Sequence, residues 1–481
     1  MVANVVQLTT QKKQIQQLNR SFAEQQQAFR RNPMPSLAER RENLRRLKRL
    51  LLENQDALCA AIDRDFSCRS VDETLLAELM PSVQGINYAL KHLKDWMKPS
   101  RRHVGLLFQP ASNRIYYEPL GVVGIMVPWN YPLFLAISPL TTALAAGNRV
   151  MLKLSEFTPH TSALIKELLE DRFPNDLISV INGDVEVSQA FSAKPFNHLL
   201  FTGSTAVGKH VMRAAADNLT PVTLELGGKS PALVSADVPM SDAADRIAFG
   251  KAFNAGQTCV APDYVLCPAD RVGAFTEEFS NAMSRMYPTL KDNPDYTSII
   301  NELQHSRLEK YLADARAKGA EIIAINPANE HFGQDTRKMP IHLVLNATDD
   351  MLVMQEEIFG PILPVVPYDT VDEALDYIND RPRPLAMYYF GYNRDSQSYV
   401  VDHSHSGGMC INDTLMHVAQ DDMPFGGLGE SGMGHYHGQE GFHTFSSARG
   451  VYSKQRFNSG KVVHPPHGTL LHKMIYKLFI R

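Results

Sequence analysis

Cys259 stands in Gly256-Gln257-Thr258-Cys259-Val260, in a chain that holds only five cysteines. A cysteine on such a turn can be a buried small hydrophobe, a metal ligand or a nucleophile. Cys59, Cys68, Cys267 and Cys410 make no close CxxC pair with it or with one another, which argues against a disulfide scaffold or a structural zinc site. As a nucleophile, Cys259 would need backbone N–H groups that favour the thiolate and a carboxylate base acting directly or through water. Glu225 offers that carboxylate. It closes a strand-like run and is followed by Leu-Gly-Gly-Lys-Ser-Pro at 226–231, whose glycines let backbones pass closely and a cleft open beside it. A merely solvated strand-end glutamate is the alternative. Asn130 lies in Val-Pro-Trp-Asn-Tyr-Pro at 127–132, where two prolines fix the turn. An amide held there can donate to a developing oxyanion, or simply close an Asx turn.

A second group of residues suits a phosphate-bearing ligand. Phe-Thr-Gly-Ser-Thr-Ala-Val-Gly at 201–208 follows a strand and opens a helix. Gly203, Ser204 and Gly208 there leave room for phosphates at a helix N-terminus. The spacing is neither the usual G-x-G-x-x-G nor a P-loop, and plain structural glycines remain an alternative. Lys153 and Glu156, in Lys-Leu-Ser-Glu, sit just past another strand, where a carboxylate can accept the hydroxyls of a ribose; a solvated turn is the other reading. His435, His437 and His443 imitate a metal site but read as surface-loop histidines, so no metal is expected.

These residues need a frame, and the chain's alternation supplies one. Residues 1–98 read as helical, with apolar spacing of three and four over 37–63 and 71–97. Segments 103–109 and 113–118 flank Pro110, Ala111 and Ser112 and read as a projecting hairpin. From 121 to 225 five apolar strands (121–127, 148–153, 177–181, 198–201, 222–225) alternate with helices, which predicts a parallel sheet covered on both faces of nucleotide-binding size. A second α/β region runs from 231 to about 410, with helices over 241–255, 272–286 and 303–318 and a strand over 321–325. The ending, 471–481, is amphipathic and basic, too short to span a bilayer and suited to docking against the body or a partner.

Composition narrows the class. At 481 residues, two or three domains are expected. With 48 basic against 52 acidic residues and a net charge of -4, no general nucleic-acid surface is expected. No apolar window reaches the length of a membrane span, and the first residues lack a signal-peptide core; a reducing, cytoplasmic setting is expected.

A nucleotide sheet, a carboxylate, an amide donor and a cysteine together suit covalent capture of an aldehyde, hydride loss to a dinucleotide and hydrolysis of a thioester. The sequence also resembles the NAD(P)-dependent aldehyde dehydrogenase superfamily along nearly its whole length. The resemblance rests on Pro128 to Pro132, Lys153 to Glu156, residues 201–208, Glu225 to Pro231, Gly256 to Cys259, Glu-Glu-Ile-Phe-Gly-Pro at 356–361 and Pro-Phe-Gly-Gly-Leu-Gly-Glu-Ser-Gly-Met-Gly at 424–434. Trp-Asn-Tyr-Pro, residues 411–418 and residues 432–446 resemble its class 3 branch. The ending, with 457–466, resembles bacterial coniferyl-aldehyde dehydrogenases. One departure is Leu154, where many members carry proline.

The resemblance implies an α/β aldehyde dehydrogenase fold with a Rossmann-like NAD domain, an α/β catalytic domain and a small β oligomerisation ribbon. It divides the chain into 1–102 with 119–226 for the helical start and NAD domain, 227–412 for the catalytic domain, and 103–118 with 447–481 for segments bridging a homodimer. It implies Cys259 as nucleophile, Glu225 as base for the deacylating water, and Asn130 as oxyanion donor beside the Cys259 backbone N–H. Lys153 and Glu156 would meet the adenosine ribose, and Gly203, Ser204 and Gly208 the pyrophosphate. Glu357 and Phe359 would place the nicotinamide ribose and ring, with Trp129 completing the cofactor contacts. NAD is the implied cofactor, with NADP as an alternative that Glu156 opposes through like charge. The implied substrate is coniferaldehyde, with broader aromatic or fatty aldehydes as the alternative.

Overall fold

The computed structural model describes residues 2–333, 335–454, 456–457 and 459–480. Asn458 and Arg481, which belong to segments singled out above, lie outside the described residues.

The helical start divides where the apolar period does not show it. Leu37–Glu53 and Gln55–Phe66 are separate helices, although 37–63 reads as one. Asn54 leaves helical geometry between them, and its side-chain amide donates to the Leu50 carbonyl, so a polar side chain satisfies an orphan acceptor at the helix end. Ser36 opens the first with a capping box to Glu39. From Val71 to Trp96 the backbone stays helical but passes through one wider π turn, Leu75–Leu79. The first long helix, Val2–Arg31, packs Leu18 and Phe22 into the core beside Val122, Met151 and Phe196.

The five expected strands of the first sheet form as Val122–Met126, Arg149–Lys153, Ile178–Ile181, His198–Thr202 and Val222–Glu225, all parallel. Their buried, apolar runs pack under helices on both faces, which is what full burial of a parallel sheet requires. A sixth strand, which the local sequence does not announce, is Gly432–Met433. It pairs antiparallel with Glu225 and Leu224 at the sheet edge. Gly432 has φ +143°, and a Cβ there would collide with the Leu224 carbonyl.

The second sheet has seven strands, parallel except for the edge strand Glu321–Ile325. The third holds Ser100–Arg102, Ala111–Pro119 and Ser446–Lys454. The hairpin therefore exists, but its first strand ends at Arg102, and Leu106–Phe108 forms a helical turn where a strand over 103–109 is expected. The long partner of Ala111–Pro119 is instead Ser446–Lys454, which pairs with it over nine residues. The terminal helix Leu470–Phe479 forms as expected. It does not bury its apolar side against its own body: Leu470 is 78%, Met474 62% and Leu478 68% exposed. No helix among the described residues is long and apolar enough to cross a membrane.

Candidate active site

Between the two large sheets lies a cleft of about 540 Å³ whose lining includes Trp129, Asn130, Gly203, Ser204, Glu225, Cys259, Glu357 and Phe359. Each arrives on a turn at the end of a regular element. Glu225 ends its strand. Asn130 follows the strand Val122–Met126, at the carboxyl end where open α/β sheets bind ligands. Cys259 follows the helix Met240–Ala252 after a left-handed turn, with Asn254 at φ +53°, Ala255 at φ +51° and Gly256 at φ +74°.

The turns that carry Cys259 and Asn130 are tied directly together. The Asn130 amide donates to the Gln257 carbonyl at 3.2 Å, and the hydroxyls of Tyr131 and Thr258 lie 2.7 Å apart. Asn254 Nδ2 donates to both the Asn130 and the Gln257 carbonyls, each at 3.1 Å. The Gln257 amide donates to the Asn254 and Ser298 carbonyls and accepts from the Ile300 N–H. Local hydrogen bonds therefore fix the angle at which the Cys259 side chain enters the cleft.

The electrostatics of the cleft disfavour charge at rest. Burial first, then the Glu357 and Glu225 carboxyls, push the Cys259 thiol up to about 12. Backbone N–H groups of Cys259 and Val260 pull the other way, but less than burial does, so the resting group is a thiol and not the stabilised thiolate the turn suggests. Burial alone lifts Glu225 well above the usual carboxylate range, and neither of its oxygens has a hydrogen-bond partner among the described residues. Glu357 is raised to about 8 by burial and then by Asp263.

The cofactor candidates fall into two sets. Gly203 and Ser204 line the cleft, and Ser204 caps the helix Thr205–Ala216 through the Val207 N–H. A Cβ at Gly203 would strike the Phe201 ring, so only glycine fits that bend. Gly208 stands behind it, where a Cβ would meet the Leu226 side chain 2.7 Å away, and its bareness serves helix–strand packing. Lys153 and Glu156 stand off the cleft lining. Lys153 is buried and donates to the Leu154 carbonyl at 2.7 Å, with Glu156 3.5 Å away; burial lowers its pKa, against the pull of Glu156.

Phe359 takes φ +48°, a strained conformation for an aromatic residue. Three residues that sequence reasoning leaves without a role hold its loop. Arg307 donates to the Glu357 and Phe359 carbonyls at 3.5 and 3.3 Å. Lys229 ion-pairs with Asp263 and donates to the Val353 and Glu356 carbonyls. Asp263 accepts the Ile358 N–H at 2.8 Å. The loop packs the Phe359 ring edge-on to Trp129 at 5.3 Å. Lys229 lies inside the quoted 225–231 motif, which was the available signal.

His437 is not a surface-loop residue. It is 4% exposed, burial lowers its pKa to about 4, and its ring stacks on Phe425 at 5.0 Å. Neither of its nitrogens, nor the adjoining Tyr436 hydroxyl, has a hydrogen-bond partner among the described residues. Tyr436 is raised well above its ordinary value by burial, then by Glu225 and Cys259. The described residues bring together no group of three or more His, Cys, Asp or Glu side chains able to hold a metal ion.

With this geometry established, known proteins supply a context. A family model described as the aldehyde dehydrogenase family matches residues 2–451. The chain is 60% identical over 481 residues, 100% of both chains, to a "Probable coniferyl aldehyde dehydrogenase" of Pseudomonas aeruginosa. Among solved structures it is similar to the substrate-bound state of Staphylococcus aureus AldH, with 36% identity, TM-score 0.91 and 96% and 99% of the two chains covered. A mutant of P. syringae AldA indole-3-acetaldehyde dehydrogenase, in complex with NAD+ and IAA, matches at 26% identity and TM-score 0.83 over 92% and 89% of the chains.

Proposed function

The chain belongs to the aldehyde dehydrogenase family, and on that premise we propose that it oxidises coniferaldehyde to ferulate, with NAD as hydride acceptor and Cys259 as the nucleophile. One observation carries the assignment of roles: Cys259, Glu225 and Asn130 border one cleft with the Gly203–Ser204 turn. That turn, a capped helix N-terminus with glycine at its closest bend, fits a pyrophosphate.

Cys259 sulfur attacks the aldehyde carbon and loses its proton. Glu225 takes it when its carboxyl is ionised; burial, which makes that ionised state scarcer, also makes the carboxylate a stronger base. The carbonyl oxygen becomes an alkoxide, and the Asn130 amide turns from Gln257 to donate to it, with the Cys259 N–H beside it. NAD, when bound, supplies the acceptor for the hydride that leaves the former aldehyde carbon, and a thioester on Cys259 remains. Once the thiol proton has passed from Glu225 to solvent, the carboxylate draws a proton from water, the hydroxide attacks the thioester, and the acid leaves as that proton returns to the sulfur.

The relative's name points to coniferaldehyde. Lys153 and Glu156 would meet the adenosine ribose, with Glu156 opposing the extra phosphate of NADP. The protein acts as a homodimer bridged by the ribbon and tail; five unpaired cysteines suit a cytoplasmic setting.

Initial rates of NAD reduction with coniferaldehyde, cinnamaldehyde and alkanals from hexanal to dodecanal test this reading beside Cys259→Ala. Coniferaldehyde is expected to show the highest kcat/KM, and the variant none. Faster alkanal turnover would end the coniferaldehyde assignment, and turnover by Cys259→Ala would end the mechanism.

A further inference from the structure

Beneath the oxyanion turn lies a charged pair that the mechanism above does not use. Arg69 and Glu78 are both fully buried and meet at 2.9 Å. The Arg69 guanidinium also donates to the Asn130 carbonyl at 3.0 Å and lies between the faces of Phe66 and Tyr131, 5.0 and 4.8 Å from the ring centroids. The second oxygen of Glu78 accepts the Leu133 and Phe134 N–H groups at 2.7 and 3.0 Å. The turn that carries Asn130 is thus held at its carbonyl by the cation and just beyond it by the anion.

The same segment reaches the nucleophile turn. Glu73 is buried, accepts the Asn254 N–H at 3.1 Å and takes the Thr297 hydroxyl at 2.6 Å. Glu73 and Glu78 are five residues apart, and the wider π turn Leu75–Leu79 opens after the first and contains the second. An ordinary α-helix puts residues three and four apart on one face; the wider turn lets residues five apart serve one buried locus. Asn254 then closes the circuit by donating to the Asn130 carbonyl, the atom that Arg69 also holds.

We propose that Arg69, paired with Glu78, is a positioning residue for the oxyanion donor: it fixes the Asn130 turn against the Cys259 turn, so that the amide faces the oxygen of the thiohemiacetal. A buried ion pair contributes little net stability, because desolvation offsets attraction, whereas orientation at the reacting carbonyl is worth orders of magnitude in rate. The proposal rests on the role given above to Asn130.

A double-mutant cycle tests it, using the full-length enzyme, coniferaldehyde or whichever aldehyde is turned over fastest, and NAD. Arg69→Lys keeps the charge but cannot hold Glu78 and Asn130 with one planar group. It is expected to lower kcat/KM for aldehyde by about tenfold to a hundredfold, with the NAD dissociation constant within about twofold of the parent. In an Asn130→Ala background the same change is expected to cost less than about twofold, because the group it orients is gone. Equal losses in both backgrounds would overturn the proposal, as would an Arg69→Lys enzyme with parental kcat/KM. If Asn130→Ala alone leaves acylation unchanged, the assigned role of Asn130 fails instead. Should Arg69→Lys not fold, Glu78→Gln, which keeps the acceptor for Leu133 and Phe134, is carried through the same cycle with the same two readings.

Discussion

At the scale of single residues, the state of the thiol decides how the enzyme waits. With Cys259 raised to about 12, the fraction of thiolate grows about tenfold per pH unit through neutrality. Alkylation of the cofactor-free enzyme by iodoacetamide is therefore expected to accelerate by about that factor per unit between pH 7 and 9. A rate already level at pH 7 would mean a thiol poised as thiolate, and the account of burial would be wrong. The residues that meet in the cleft were legible because each belongs to a short motif at the end of a regular element, Asn130 and Glu225 at strands and Cys259 past a helix. Asn130, Glu225 and Cys259 could be read from their neighbours in sequence. Arg69 could not, since its partners at 78, 130 and 131 share no motif with it. His437 was misjudged for a related reason: a Gly- and His-rich stretch looks solvated until Phe134 and Phe425 are seen to cover it.

At the scale of elements, the parallel strands of the first sheet could be read almost residue for residue, because strands buried on both faces leave uninterrupted apolar runs. What escaped were features set by long-range pairing. Two residues, Gly432 and Met433, carry no periodicity, yet they complete the sheet beside Glu225. Gly432→Ala is expected to cost about 2 kcal/mol in denaturant unfolding, since a Cβ at φ +143° would press on the Leu224 carbonyl. Unfolding indistinguishable from the parent would mean that the edge pairing yields without strain. The split at Asn54 was hidden differently, because apolar spacing continues across a break made by one side-chain amide.

At the scale of the whole molecule, exposed apolar side chains gather away from the cleft. Leu106, Phe108 and Tyr452 on or beside the ribbon and Phe457, Val463, Leu470 and Leu478 in the tail are all at least half exposed. Such surfaces mark contacts with another chain. Sedimentation of the intact protein is expected to give a dimer, and removal of residues 456–481 to weaken it by roughly a hundredfold. A monomer at micromolar concentration before truncation would remove the homodimer from the proposed function.

The pairing of Gly432 with Glu225 also bears on biosynthesis. The five parallel strands are complete once residue 225 has left the ribosome, and Cys259 follows. The neighbour that holds the strand ending in Glu225 at its free edge is made only at residue 432. A nascent chain therefore carries the five-stranded sheet and the Cys259 thiol long before the strand that ends in Glu225 is clamped at its edge.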